Sequence, residues 1–367
     1  MISMEYSSIW WQQITGPFKL YNEIVDNLAL NQSIVLIKTS DQFYIEKLRY
    51  LVEHHFESLK QEFLLIDGIT LTEYNTTEDF LFAKFKFIQK PSIETFKMSS
   101  IEKLGKSGIL SKRTFWFYNL TPDHESKLLK FINDFTKKYN DVRFVVEIST
   151  ENKIVSNDKM KKFEFSEYIT QMDTMIFVYH LMANKNANQI QYATQLISNI
   201  CGINSEIAAS MSDKYDACKH DPIDILKSLR DSFIVDKHSG TFTDSNKVHP
   251  LNLVQSNLQK IHRLIWKSQV QIIFPMLELA RQEIIERHLS KIKENLKYHT
   301  NLEQKDVFAL ELIEIRIICI DSNARKDKIL NDIEINRLSR MIYARNELAH
   351  LRVLDFKVAN EIFSILK

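Results

Sequence analysis

Residues 33–58 read SIVLIKTSDQFYIEKLRYLVEHHFES. An apolar run, Ser33–Ile37, is followed by a polar stretch and then by apolar positions at helical spacing, which together form a strand–loop–helix unit. Upstream, Pro17 opens an amphipathic helical pattern, FKLYNEIVDNLAL. Downstream, a second apolar run, Glu62–Ile66, ends in the turn signal Asp67-Gly68. A third, Thr114–Tyr118, precedes NLTPDHESKLLKFINDFTKKY, a helical pattern with Leu128, Leu129, Ile132 and Phe135 on one face. Asp123 is expected to cap that helix. A fourth run, Val142–Ile148, follows directly, and a fifth, Lys162–Phe165, is short and alternating. Short strands separated by helices predict βαβ units and a mainly parallel sheet. Residues 1–165 are therefore expected to form an α/β domain.

Beyond Ser166 the period changes to that of helices. In QLISNICGINSEIAASMSDKY, Gly202 stands where one helix stops, and Asn204 or Ser205 can cap the next. The polar stretch DKHSGTFTDSNKVHP, 236–250, predicts a linker or hairpin at a domain boundary. The remainder is helical again. A long pattern runs from Leu251 to about Tyr298, and Pro275 is expected to kink or split it. Further helices are expected near 304–320 and 333–350, with a last one capped by Asp355. The predicted division is 1–165, a lid-like helical region 166–240, and a helical domain 241–367: α/β plus all-α.

Composition narrows the function. The 367 residues include only 6 glycines, where average usage of about 7% would give roughly four times as many. Flexible-linker, collagen-like and turn-rich sheet folds are excluded on that ground, and a nucleotide site built on a glycine-rich loop becomes doubtful. Lys and Arg number 48 against 47 Asp and Glu, so the whole chain is no electrostatic trap for nucleic acid, and any such contact must be a local patch. The cysteines Cys201, Cys218 and Cys319 are scattered, suggest neither a disulfide framework nor a zinc site, and fit a reducing compartment. The start, MISMEYSSIWW, lacks a basic segment followed by an apolar one, and the longest apolar stretches are far short of the roughly 20 residues that span a bilayer. A soluble cytoplasmic protein is expected, without membrane contact.

The strand–loop–helix unit, the hydrophobic strand that follows and the helical appendage resemble the plan of P-loop NTPases of the AAA+ and STAND group over roughly residues 15–235. ISNICGINSEIAASM is similar to that group's lid-helix pattern. The phosphate-binding chemistry does not follow. A Walker A loop needs closely approaching backbone amides and a lysine. Here Lys38-Thr-Ser-Asp-Gln-Phe43 has no glycine, and Asp41 would repel phosphate. The Walker B position after Tyr118 is Asn119 rather than an acid for Mg²⁺. The expectation is a degenerate domain that acts as scaffold, sensor or surface for a protein partner, with no nucleotide cofactor and no ATP hydrolysis.

The sharpest motif is Arg345-Asn346-Glu347-Leu348-Ala349-His350, near the end of a helical pattern beginning around Ile335. At 100° per residue, Ile335, Leu338, Ile342 and Ala349 define an apolar stripe, with Arg345 in it or on its edge. Asn346 and His350 are an i,i+4 pair flanking its other side. A guanidinium at a core-facing position is costly unless paired or wet, and Glu347, Glu314 and Glu311 are candidate partners. Arg345 and His350 lie about 140° apart on an ideal helix, so one straight helix cannot aim both at one atom. A bend at the helix end could do so, as could the motif of a second chain.

A helical domain of about 120 residues ending in R-N-x-x-x-H resembles the HEPN superfamily over roughly 251–367. The resemblance implies a metal-independent endoribonuclease, possessing neither metal nor cofactor, whose catalytic residues are Arg345, Asn346 and His350. His350 would activate a ribose 2′-OH or protonate the leaving 5′ oxygen, and its unperturbed pKa suits either task. Arg345 would bind the scissile phosphate, and Asn346 would orient imidazole or phosphate. Products would be a 2′,3′-cyclic phosphate and a 5′-OH. The resemblance also implies a homodimer through the helical domain, with both motifs facing a shared cleft. Residues 251–367 carry 19 basic against 15 acidic side chains, which favours an RNA partner. By analogy with abortive-infection proteins, the pairing of the two halves implies a regulated effector of bacterial anti-phage defence. The alternative is a non-catalytic adaptor of a defence complex, since HEPN bundles also serve to dimerise or to hold partners.

Other candidates have plainer explanations. Trp266, Val270, Ile273 and Leu277 follow helical spacing and predict core or dimer seam, with Gln269, Phe274 and Pro275 among them. Glu278 and Arg281 are expected to be a solvated pair. His54 and His55 point to different sides of a helix and make a poor metal pair. Trp10-Trp11 with Phe18 could stack bases or staple the N-terminal segment to the core. Cys201 and Cys218 are expected to be buried thiols.

Overall fold

A computed structural model describes residues 4–37, 44–86, 97–148, 159–183, 187–215, 220–235, 249–299, 301–320 and 329–366. The chain divides into two compact units, one of Met1–Phe177 with Ile203–Glu206, the other of Val178–Gly202, Ile207–His238 and Asp244–Lys367.

The first unit is α/β. Helices α1 (Met4–Gln13) and α2 (Thr15–Ala29) precede β1 (Ser33–Ile37). Then come α3 (Ile45–Ser58), β2 (Glu62–Asp67), α4 (Thr77–Lys84), α5 (Ser100–Ser107), β3 (Arg113–Tyr118), α6 (Pro122–Thr136), β4 (Arg143–Ile148), β5 (Met160–Glu164) and the short α7 (Phe165–Tyr168). All five expected strands are present, and every pairing in the order β2-β3-β4-β1-β5 is parallel. In register, Ile34 lies opposite Val145 and Leu36 opposite Glu147. The sheet is covered on both faces. Leu128, Phe131, Ile132 and Phe135 of α6 join Val35, Phe115, Phe117, Phe144 and Val146 in one buried cluster. On the other face α2 packs on β1 and α3 on β2. This two-sided burial explains why β3 and β4 are near-continuous apolar runs rather than alternating ones.

The cap of α6 differs from expectation. Thr121 accepts the N–H of His124, and Pro122 occupies the first helical position. Asp123 instead falls in the first turn and pairs with Lys127 at 2.7 Å. The tryptophans near the start are fully buried. Trp10 meets Phe177 edge-on, and the Trp11 indole N–H donates to the Tyr44 carbonyl at 2.9 Å. They staple the N-terminal helix to the core and are closed to base stacking.

The central strand, β4, is buried along its whole length yet carries two charges. The Glu147 carboxylate receives Arg49 Nε at 2.6 Å, Arg49 Nη2 at 2.8 Å and the Trp116 indole N–H at 2.6 Å. Arg49 belongs to α3 and its guanidinium lies over the Tyr118 ring, 4.1 Å from the centroid. At the other end of β4, the Arg143 guanidinium donates to the Gln61 side chain and faces the Phe56 ring. Burial lowers the Arg143 pKa from its ordinary value.

The second unit is helical: the C-terminal end of α8 (Gln171–Met182), whose larger part lies in the first unit, then α9 (Ala187–Cys201), most of α10 (Ser205–Lys214), α11 (Pro222–Val235), α12 (Pro250–Ser256), α13 (Leu258–Arg287), α14 (Leu289–Leu296), α15 (Leu312–Ile320), α16 (Asp332–Ala349) and α17 (Phe356–Ile365). Pro275 does not split the long helix, because α13 runs unbroken through it for 30 residues. The chain breaks instead at Asn257, which caps α13 through Lys260 N–H, and at His288. Pro275 and Gln271, whose carbonyl loses its intrahelical partner to the proline, are both exposed, so the lost bond falls on the solvent-facing side of the helix.

Few glycines do not prevent left-handed turns. Among the described residues, seven non-glycine residues adopt positive φ, including Asn31, Lys60 and Leu351 just past the ends of α2, α3 and α16. Among the described glycines, only Gly108 and Gly202 do so.

Two outcomes are expected from these contacts. Glu147→Ala leaves the Arg49 charge buried and should destabilise the first unit by about 3–5 kcal/mol. Denaturant unfolding followed by tryptophan emission measures this, since Trp10, Trp11 and Trp116 all lie there. Arg49→Met with Glu147→Gln, which keeps an acceptor for Trp116, should recover most of the loss. His249, only 4% exposed, caps α12 by accepting Leu251 N–H on Nδ1, and burial lowers its pKa to about 4. The unfolded chain binds its proton first, so stability is full above about pH 6.5 and falls by roughly 3 kcal/mol as pH drops to about 4. Circular-dichroism unfolding midpoints between those pH values should flatten in His249→Asn.

Candidate active site

Helix α16 carries the Arg-Asn-x-x-x-His motif. A capping box starts it: Asn331 accepts Glu334 N–H at 2.9 Å, and Glu334 accepts Asn331 N–H at 3.1 Å. Its buried stripe is Leu338, Met341, Ala344 and Leu348. The expected stripe is thus displaced on the helix. Ile335 and Ile342 are half-buried, and Ala349 is exposed. Arg345 lies half-buried on the stripe's edge, while Asn346 and His350 are exposed.

The helix ends on His350. Its N–H donates to the carbonyls of Asn346 and Glu347, and Leu351 turns the chain with φ of 60°. Leu351 N–H meets the Leu348 carbonyl at 3.2 Å, and Arg352 N–H meets Glu347 at 2.9 Å. These two bonds are those of a Schellman motif, with leucine where glycine is usual. His350 keeps the helical bond from its N–H to the Asn346 carbonyl, and the turn redirects only the chain beyond it.

The surrounding charges are paired off. Arg345 Nη2 meets Glu311 Oε2 at 3.2 Å, and Nη1 donates to Asn346 Oδ1 at 3.4 Å. Of the other acids that could hold Arg345, Glu314 goes to Lys305, and Glu347 goes to Arg352 at 3.0 Å. Arg345 and Asn346 are thus brought together with Glu311. The His350 ring makes no hydrogen bond to any described residue and stands in solvent.

Two side chains of α13 hold the turn that follows the motif. The Trp266 indole N–H donates to the Leu348 carbonyl at 2.8 Å. Buried Gln269 clamps Leu354 from both sides, donating to its carbonyl and accepting its N–H, each at 2.8 Å. Sequence spacing marks both as core but misses the clamp, whose signal is a glutamine on a buried face. A further anchor holds the segment just before Glu311. Arg281, beyond its pair with Glu278, donates to the carbonyls of Phe308 and Leu310 at 2.8 Å each. With its side chain only 12% exposed, Arg281 is a structural tie rather than half of a solvated pair.

A cavity of about 270 Å³ lies beside the clamp, with Tyr192, Asp221, His262, Gln269, Asp355 and Phe356 in its wall. It has two carboxylates and no Lys or Arg, so it is unsuited to phosphate. Burial pushes the Tyr192 phenol up to about 12.

Elsewhere, Lys38–Phe43 and Cys218 lie outside the described residues. Asn119 is exposed with φ of 56° and donates to Asp67 Oδ1 at 3.2 Å. Cys201 and Cys319 are buried thiols, and burial raises the Cys319 pKa to about 12. His54 stacks on Tyr50. Among the described residues, no group of three or more His, Cys, Asp or Glu could hold a metal ion, and no helix is long and apolar enough to cross a membrane.

Leu351→Gly should relieve the left-handed turn at little cost in packing, since Leu351 is 70% exposed. A gain of about 0.5–1 kcal/mol is expected, read as a raised midpoint in thermal unfolding. No protein-family model matches the chain, and no curated protein matches it.

Proposed function

We propose that the helical C-terminal part is a metal-independent HEPN-type endoribonuclease, and that the α/β unit is a degenerate P-loop NTPase-like module that restrains it or receives a protein partner. The observation that carries the reading is the exposure of His350 at a helix end, beside a half-buried Arg345. A histidine kept for structure would be buried and bonded to backbone; this ring is available to a substrate.

The chemistry follows from the groups present. His350 takes the proton of a ribose 2′-OH as its oxygen bonds to phosphorus, or gives a proton to the 5′ oxygen as the P–O5′ bond breaks. Arg345 binds the phosphate oxygens and offsets the charge that develops on them. Its pair with Glu311 is exposed and weak, so a phosphodiester can displace the carboxylate. Asn346, already bonded to Arg345, orients that side chain or the phosphate. Because Arg345 and His350 leave one helix in different directions, the reading includes a homodimer whose two motifs share one cleft. The all-parallel sheet, with β1 inside it between β4 and β5, supports the P-loop-like reading of the other unit. A toxic ribonuclease needs restraint, and a role in bacterial anti-phage defence fits that need.

One observation favours a second reading. Glu311 already occupies Arg345, as it would in a non-catalytic adaptor that uses the bundle to assemble a defence complex. Incubation of total RNA with purified protein in EDTA, beside Arg345→Ala and His350→Ala, separates the two. Cleavage by wild type, reduced at least a hundredfold in both variants and ending in 2′,3′-cyclic phosphate, is expected. Intact RNA in all three, with no growth arrest on expression, would establish the adaptor.

A further inference from the structure

Charge is distributed unevenly along α13. Between Asp244 and Glu278 the chain has no acidic residue. The N-terminal half of the helix instead presents Lys260, Arg263 and Lys267, all exposed and none in an ion pair with a described residue. Spaced i, i+3 and i+7, they form a single stripe about 10 Å long. Two of the acids from Glu278 onward pair with cations, Glu278 with Arg281 and Glu283 with Arg337. The contrast lies within one helix.

Among the described residues, the flanks of the stripe leave it uncompensated. On one side α9 packs against α13, with Asn199 donating to Ser268 at 2.8 Å and to Gln271 at 2.9 Å, and α9 contains no charged residue. On the other side lies Trp266, about 60° around the helix from Arg263. Its indole meets the Leu348 carbonyl, two residues before His350. Asp221 and Asp355 face the cavity beside His262 and Gln269, on the far side of Trp266 from the stripe.

We infer that Lys260, Arg263 and Lys267 form a phosphate track that carries the backbone of single-stranded RNA past Trp266 to the His350 turn. The inference rests on the ribonuclease reading for its substrate. Its supporting observation, a cationic stripe beside the motif with no acidic partner among the described residues, is independent of whether His350 is catalytic. The track grips phosphates without reading bases, so it supplies affinity and direction rather than sequence choice.

The test is binding of a fluorescent single-stranded RNA oligomer to full-length His350→Ala, in EDTA, over a range of salt. Adding Lys260→Ala, Arg263→Ala and Lys267→Ala should weaken binding at least about tenfold at low salt. It should also lower the slope of log affinity against log salt by about 2, three contacts at about 0.7 each. Lys291→Ala with Lys293→Ala on α14 serves as the control and should change the slope little. Unchanged slope in the triple variant, or an equal change in the control, would overturn the track. So would polyglutamate competing as well as RNA at equal charge, because the face would then suit an acidic protein. If wild type cleaves RNA, and the three substitutions leave cleavage unchanged in the wild-type chain and binding unchanged in His350→Ala, the track fails while the ribonuclease stands. If wild type itself leaves RNA intact while the three substitutions in His350→Ala lose binding, the ribonuclease fails while the track stands.

Discussion

The carboxylate of Glu147 is the hinge of the α/β unit. It lies on the central strand, and three N–H groups from two other elements close on it: two from Arg49 on the helix after β1, one from Trp116 on β3. Parallel strands touch only through ladders and side-chain packing, and neither dictates how far a crossover helix slides. A buried charge does, because any other placement leaves it unpaired at a cost of several kcal/mol. The order of the sheet and the position of α3, which follows directly on residues 38–43, are therefore coupled through one side chain.

In the helical unit the corresponding constraint is how a glycine-poor chain ends its helices. Leu351 takes the left-handed conformation that completes the cap of α16, and the bonds it closes are the compensation for its strain. Trp266 and Gln269 then hold Leu348 and Leu354 on either side of that turn. His350 is thus an exposed side chain on a braced backbone. A proton-transfer group needs that combination, free at the ring and held at the Cα, because misplacement by about an ångström costs a large share of the rate.

Much of the architecture was legible along the chain. The five strands stand on or within two residues of the apolar runs Ser33–Ile37, Glu62–Ile66, Thr114–Tyr118, Val142–Ile148 and Lys162–Phe165; β3 and β4, inside the sheet, are near-continuous apolar runs, while the edge strands β2 and β5 mix buried and exposed positions. The cap by Asp355 and the stop at Gly202 were equally local. Errors arose where a local signal competed with solvent or with a neighbour. Asp123 is a good cap, but Thr121 before Pro122 is better placed. Pro275 breaks helices in isolation, yet α13 runs through it with the proline on an exposed face. Trp10 and Trp11 look like stacking platforms until the core closes over them.

What the sequence by itself determined is the alternation of elements, the helical character beyond Ser166 and the motif Arg345-Asn346-x-x-x-His350, since each depends on spacing within a few residues. Only the tertiary structure decided which partner each charge took. Glu311, rather than Glu314 or Glu347, holds Arg345, and Arg49 reaches Glu147 across 98 residues of chain. Pairings of that kind are chosen by distance in space. A sequence lists the candidates, and the packing that brings two of them within about 3 Å makes the choice.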